Sequence, residues 1–71
     1  MIEITNTRSG MISKLAYDEG ESCMIIIFAK GGSYKYKNVP KDSFDALCNA
    51  DSMGKYFHAN IKGKFTDVEK L

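Results

Sequence analysis

The stretch CMIIIFAKGGSYKYKNVP, residues 23–40, indicates most about the fold. Both faces of CMIIIFAK are apolar, and its three consecutive isoleucines favour a strand over a helix. A strand that is apolar on both faces usually lies between two neighbours. The glycines of KGGS tolerate positive φ and predict a hairpin turn. In YKYKNV, the next predicted strand, Tyr34 and Tyr36 lie on one face and Lys35 and Lys37 on the other.

The segment before this hairpin predicts one further strand. Polar and apolar residues alternate in MISKLAYD, residues 11–18, and Gly20 in DEGES marks the turn that follows it. Nearer the start of the chain, Ile2 and Ile4 alternate with polar residues, which is typical of either a short strand or a loose arm. The predicted sheet is therefore an antiparallel meander of three strands, with residues 2–4 left open.

The segment after the hairpin predicts two helices. In PKDSFDALCNA, residues 40–50, a proline suits the first helical position, and a phenylalanine, a leucine and a cysteine form an apolar stripe. A second helix is predicted over MGKYFHANI, with Asp51 or Ser52 as its cap and with Phe57 and Ile61 on one packing face. The last residues of KGKFTDVEKL are expected to fray. The prediction is a single α+β domain over residues 1–71: a three-stranded antiparallel β-meander followed by two short helices.

Length and composition exclude several classes of protein. A chain of 71 residues allows one domain, and its 44% apolar and 27% charged residues are typical of a globular protein. The longest apolar run, CMIIIFA, is too short to span a bilayer, and MIEITNTRSG lacks the features of an export signal. We therefore expect a cytoplasmic protein without membrane association, in which Cys23 and Cys48 stay reduced. Neither a metal nor a cofactor is expected, because the sequence contains no zinc-ligand spacing, phosphate loop or dinucleotide motif.

Most of the lysines fall in two segments that contain no acid, residues 30–41 and residues 52–66. The net charge is only +1, so attraction of a charged partner would depend on where these lysines lie rather than on their total. If the two segments converge in the fold, they form a basic face suited to phosphates. Lysines scattered over a solvated surface would give the same composition, and that alternative stays open.

Three blocks of sequence resemble one known family. They are YKY at 34–36, VP at 39–40 and SMGKYFHANIKGKF at 52–65. In this order and spacing they are similar to the KTSC domain family, which is named for a segment at the C-terminus of some lysyl-tRNA synthetases. The family also occurs as free-standing bacterial and phage proteins of about this length. The resemblance covers about residues 9–65 and implies a small α+β fold and, through the synthetases, RNA binding.

The first functional hypothesis is a non-catalytic module that binds RNA or another nucleic acid through a basic face. Lysines would position phosphates, and a tyrosine would contact a base or ribose. The tyrosines at 34 and 36 have a second interpretation, as core residues beneath the helices, which the small size of the domain favours. The candidate residues are Lys30, Tyr34, Lys35, Tyr36, Lys37, Lys55, Tyr56, His58, Asn60, Lys62 and Lys64.

The alternative hypothesis is a protein-interaction module that binds a partner or self-associates, for example a phage-encoded modulator of a host protein. Strand addition would use the edge formed by residues 11–17 or 33–39. If helices cover one face of the sheet, a second copy, a partner or the N-terminal arm would cover the other. Catalysis is disfavoured, because a pair such as Cys48 and His58 would place the nucleophile on a buried helix stripe.

Overall fold

The computed structural model describes residues 1–5, 7 and 9–71, which form one five-stranded antiparallel sheet and two helices. The strands are β1 (Ile2–Ile4), β2 (Ile12–Asp18), β3 (Cys23–Phe28), β4 (Gly32–Tyr36) and β5 (Val68–Lys70). The α+β class is confirmed, but the prediction of three strands is wrong. The segment left open at residues 2–4 is a strand, and residues 68–70, which were expected to fray, form another.

The strands follow one another across the sheet in the order β1-β2-β3-β4-β5. Ile26 of β3 lies opposite Leu15 of β2 and Tyr34 of β4, so these three side chains share a face. Ile25 lies opposite Ala16 and Lys35 on the other face. The register shifts between Ile12 and Lys14, where β2 carries a bulge. The central position predicted for β3 is confirmed.

Two helices pack on the face of the sheet that carries Ile26, which we call the covered face. Helix α1 (Lys41–Asn49) follows Pro40 directly, and helix α2 (Met53–Tyr56) is continued by a π-helical turn (Phe57–Ile61). Ser52 caps α2, because its hydroxyl oxygen accepts a hydrogen bond from the Lys55 backbone N–H at 3.4 Å. The face that carries Ile25 is the open face, and none of the described helices packs on it.

The core lies between the covered face and the helices. Tyr17 stacks on Phe44 with ring centroids 5.1 Å apart, and the Tyr17 hydroxyl donates to the Val39 carbonyl at 2.7 Å. These contacts connect β2, the segment after β4, and α1. The largest fully buried side chains are Phe44, Ile12, Leu15, Met24, Ile26, Leu47, Ile61 and Val39.

The strands at the two edges of the sheet are not those predicted for strand addition. Residues 11–17 and 33–39 were expected to supply a free edge, but β2 pairs on both sides with β1 and β3, and β4 pairs with β3 and β5. The edges are β1 and β5, the two strands that the sequence pattern did not resolve. None of the helices in the described part of the chain is long and apolar enough to cross a membrane.

Candidate functional site

A groove of about 400 Å³ opens on the covered face where the helices leave β4 and β5 exposed. Tyr34, Tyr36 and Val68 line it from the sheet, because Val68 lies opposite Tyr36 in the β4–β5 register. The π-helical turn and the residue after it line the other side. We call this site the aromatic groove; its principal side chains are Phe28, Tyr34, Tyr36, Phe57, His58, Lys62 and Val68.

Four aromatic rings in the groove pack edge to face. The Phe57 ring lies 5.3 Å from that of Phe28 and 5.8 Å from that of Tyr36, and Phe28 lies 5.7 Å from Tyr34. Phe57 and Tyr36 are buried, whereas Phe28 and Tyr34 are half-buried. Each of the two predicted interpretations therefore applies to one tyrosine. Tyr36 is a core residue, and part of the Tyr34 ring is accessible from the groove.

The Tyr36 ring is buried, and its hydroxyl makes no hydrogen bond with the described residues. Burial raises the pKa of Tyr36, and the neighbouring Tyr34 adds to the shift. The hydroxyl therefore stays protonated at neutral pH, as a hydrogen-bond donor.

The charges around the groove are positive. His58 and Lys62 are exposed and line it, and none of the described residues in the lining is acidic. Lys30 lies in the β3–β4 turn and lines a neighbouring concavity, which shares Met11 and Phe28 with the groove. An anionic group entering the groove would therefore meet the Lys62 ammonium, with Lys30 in the neighbouring concavity, without repulsion from the described lining.

The other predicted lysines do not gather at the groove. Lys35 and Lys37 lie on the open face, where Lys35 Nζ is 3.8 Å from Glu21 and Lys37 Nζ is 3.7 Å from Glu69. Lys55 is exposed on α2. The basic side chains of the two acid-free segments therefore do not converge as a whole; those at or beside the groove are Lys30, His58 and Lys62.

The remaining predicted site residues have local structural contacts. Tyr56 packs against the core, and the Asn60 side-chain amide donates to the Tyr56 carbonyl at 3.4 Å. The Lys64 ammonium lies 5.7 Å from the centre of the Phe65 ring. None of the three is among the residues that line the groove.

A larger concavity, of about 780 Å³, lies between the N-terminal segment and the junction of the helices. Asp51 and Ser52 line it, and no lysine or arginine among the described residues does. Cys48 also lines it, but burial raises the pKa of the Cys48 thiol, with a further contribution from Asp45. The thiol is thus a poor nucleophile, and the described residues bring no three potential metal ligands together.

Three of the principal side chains of the groove were missed as site candidates: Phe28, Phe57 and Val68. The sequence pattern identified Phe28 and Phe57 only as packing residues, and their burial agrees with that. The sequence around Val68 did not indicate a site residue, because the position of Val68 beside the groove depends on the pairing of β5 with β4. A large aromatic at the end of a buried strand, as at Phe28, is the feature that could have indicated the groove.

Comparison with known proteins gives a consistent result. Residues 8–65 match the KTSC domain. A crystal structure of a KTSC domain protein from Yersinia pestis superposes with a TM-score of 0.84 at 33% identity, covering 89% of this chain and 87% of that one. A protein from Tsukamurella paurometabola is 33% identical over 84% of this chain and 90% of its own length.

A different kind of relative carries the same segment within a much larger protein. A lysine–tRNA ligase from Trichormus variabilis is 39% identical over 76% of this chain, but the match covers 10% of the ligase. The family match and the superposition lead to one conclusion. This chain belongs to the KTSC domain family.

Proposed function

We propose that this domain is a non-catalytic binding module whose aromatic groove holds one nucleotide of a single-stranded RNA. The observation that carries the proposal is the combination of accessible aromatic surface with basic side chains, and no acidic ones, in the described part of the groove lining. Aromatic rings stack on bases, and lysine and histidine contact phosphates. A groove of about 400 Å³ suits one nucleotide rather than an extended strand.

Each groove residue would have a distinct role. Tyr34 is half-buried, so its ring is held by Phe28 yet can stack on a base. The Tyr36 hydroxyl would donate to an acceptor on the base or ribose. Lys62 and His58 would contact the adjoining phosphate, and Lys30 the next one along the strand.

The relatives add circumstantial support. Proteins named lysine–tRNA ligases, which act on an RNA, carry this segment over about a tenth of their length, as 10% in the Trichormus variabilis protein. A small attached module with a nucleotide-sized groove would give such an enzyme an additional RNA contact. This chain would use the same groove to bind an RNA.

The test is an NMR titration of the labelled 71-residue chain with a short single-stranded RNA at two salt concentrations. Shifts are expected at Tyr34, Tyr36, His58 and Lys62, and affinity is expected to fall with salt by about 1.4 log units per log unit for two neutralised phosphates. The same titration with single-stranded DNA measures the contribution of the 2′-hydroxyl. The absence of shifts at millimolar RNA and low salt would contradict the proposal.

Two matched variants separate the groove from general charge. Lys62→Gln and Lys35→Gln each remove one positive charge, but Lys62 lines the groove and Lys35 lies on the open face. Only Lys62→Gln should weaken binding and lower the salt dependence. Tyr34→Ala should weaken binding about tenfold through lost stacking, whereas Tyr34→Phe should preserve it. Equal losses from Lys62→Gln and Lys35→Gln would show that the attraction is not located in the groove.

A further inference from the structure

On the outer edge of strand β5, the backbone N–H and C=O groups of two residues have no hydrogen-bond partner among the described residues. The Lys37 N–H donates to the Asp67 carbonyl, and the Leu71 N–H donates to the Ser33 carbonyl, both at 2.9 Å. In an antiparallel ladder these two bonds make Tyr36–Val68 and Tyr34–Lys70 non-hydrogen-bonded pairs. The N–H and C=O groups of Val68 and Lys70 therefore point away from β4.

The opposite edge of the sheet, strand β1, has fewer backbone groups that point outward. In antiparallel strands, hydrogen-bonded and non-hydrogen-bonded pairs alternate, and this alternation can be followed from β5 to β1 through the strand registers. It directs the backbone N–H and C=O groups of Ile2 and Ile4 toward β2. Within β1, only the backbone groups of Glu3 therefore point outward. All three residues of β5 are exposed, and Val68 is an exposed large hydrophobic residue at 38%. No hydrogen bond among the described residues uses the outward groups of Val68 or Lys70. β5 is thus the edge better suited to an added strand.

The side chains of β5 discriminate between possible partners. If two copies paired antiparallel through β5 across a twofold axis so that both outward residues were used, Val68 would lie opposite Lys70 of the other copy, and Glu69 opposite Glu69. Like charges directly opposite each other destabilise a strand pair. A different strand escapes this repulsion when it places a basic residue opposite Glu69, an acidic residue opposite Lys70 and an apolar residue opposite Val68.

We propose that the outer edge of β5 captures an extended peptide segment of a partner protein, antiparallel, with the consecutive order acidic–basic–apolar. Two backbone pairs supply the hydrogen bonds, and the three side-chain pairs select the sequence. The apolar residue packs on Val68 beside the mouth of the aromatic groove. This edge lies beyond residues 8–65, the part that matches the KTSC domain, and the proposal does not depend on RNA binding.

The test uses a seven-residue peptide with glutamate, lysine and valine at its three central positions and serine or threonine on either side. Titrated into the labelled 71-residue chain, it is expected to shift the amide resonances of Val68 and Lys70 most. N-methylation of the peptide valine removes an N–H that faces β5 and should abolish the shifts. N-methylation of the central lysine changes an N–H that faces solvent and should leave them intact, because that group makes no bond in the proposed pairing.

Variants of the chain test the same geometry from the other side. Val68→Pro removes an outward N–H while leaving the β4–β5 bonds in place, and should weaken binding about tenfold, whereas Val68→Ala keeps the N–H and should weaken it less. Glu69→Lys should weaken binding of this peptide about threefold, and a peptide with glutamate at its centre should recover the affinity.

Three results would overturn the proposal. One is the absence of shifts at β5 with millimolar peptide. Another is equal binding by the two N-methylated peptides. The third is concentration-dependent shifts at β5 without peptide, which would mean that the edge pairs with a second copy instead. Recovery by the charge-swapped peptide would place the central peptide residue opposite position 69.

Discussion

The two faces of the sheet are built from alternating residues of the same strands, yet they are stabilised by different interactions. The covered face packs aromatic rings and aliphatic side chains under two helices. The open face carries Ala16, Ile25 and Ile27, with ion pairs around them, including Lys14–Glu3 at 2.6 Å. The comparison indicates that burial stabilises this domain, whereas the charges of the open face mainly keep that surface solvated. The candidate groove occurs where the helical cover of the first face stops.

The largest expected difference between the faces concerns Phe57. It is 3% exposed and contacts three other rings, so Phe57→Ala should cost about 3–5 kcal/mol of the free energy of unfolding. Ile27→Ala removes a half-buried side chain on the open face and should cost about 1 kcal/mol. Urea unfolding followed by circular dichroism measures both. Similar losses would show that the open face contributes as much burial as the covered one.

A hydrogen bond under the helices is expected to matter more than the ion pairs outside. Tyr17→Phe leaves the buried Val39 carbonyl without its donor and should cost about 1.5 kcal/mol of unfolding free energy. Tyr34→Phe is the control, because the Tyr34 hydroxyl has no hydrogen-bond partner among the described residues, and its effect should stay within about 0.5 kcal/mol. A small loss in Tyr17→Phe would mean that water replaces the donor at Val39.

The ion pairs of the open face should contribute little. Lys37 and Glu69 expose 41% and 56% of their side chains at a separation of 3.7 Å, so Lys37→Gln should change the unfolding free energy by at most about 0.5 kcal/mol. Urea unfolding of the variant and of the unaltered chain at low and at high salt measures this directly. A larger loss that disappears in high salt would show that the three ion pairs act together.

The smallest predicted effect is a dependence of stability on pH at β1. The hydrogen bond and charge of Lys14 lower the pKa of Glu3 from its ordinary value of 4.5. The ionised carboxylate therefore stabilises the fold above that value, and this contribution is lost as pH falls through the lowered pKa. In Glu3→Gln, the decrease in the urea midpoint between pH 5 and pH 3 should be slightly shallower. An identical decrease would show that solvent screens the pair completely.

The elements that could be predicted from sequence are those whose pattern is decided locally. β3 was predictable because both of its faces are apolar, and α1 because Phe44 and Leu47 form a stripe that is buried. Phe57 and Ile61 were expected to share a face, and both are buried even though a π-helical turn replaces the predicted α-helix there. The packing expected of Phe57 and Ile61 is therefore preserved despite the change from an α-helix to a π-helical turn.

What could not be predicted depends on tertiary pairing. β1 and β5 have three residues each, too few for a pattern of their own, and each is a strand only because β2 or β4 lies beside it. The groove could not be predicted, because its position depends on where the helices end over the sheet. That arrangement decides that Tyr36 is buried and Tyr34 only half-buried. Lys62 and Tyr34 are distant in sequence, and no local signal connects them.

The position of β5 also has a consequence for the order of folding. Residues 37–67, which include both helices, separate it from β4, whereas short turns join β2 to β3 and β3 to β4. Closing the longer loop costs more chain entropy, so β5 should be the last strand to pair during synthesis. Until it does, the outer edge of β4 is open to other nascent chains. Lys35 and Lys37 stand on that edge, where positive charge discourages aggregation before the sheet is complete.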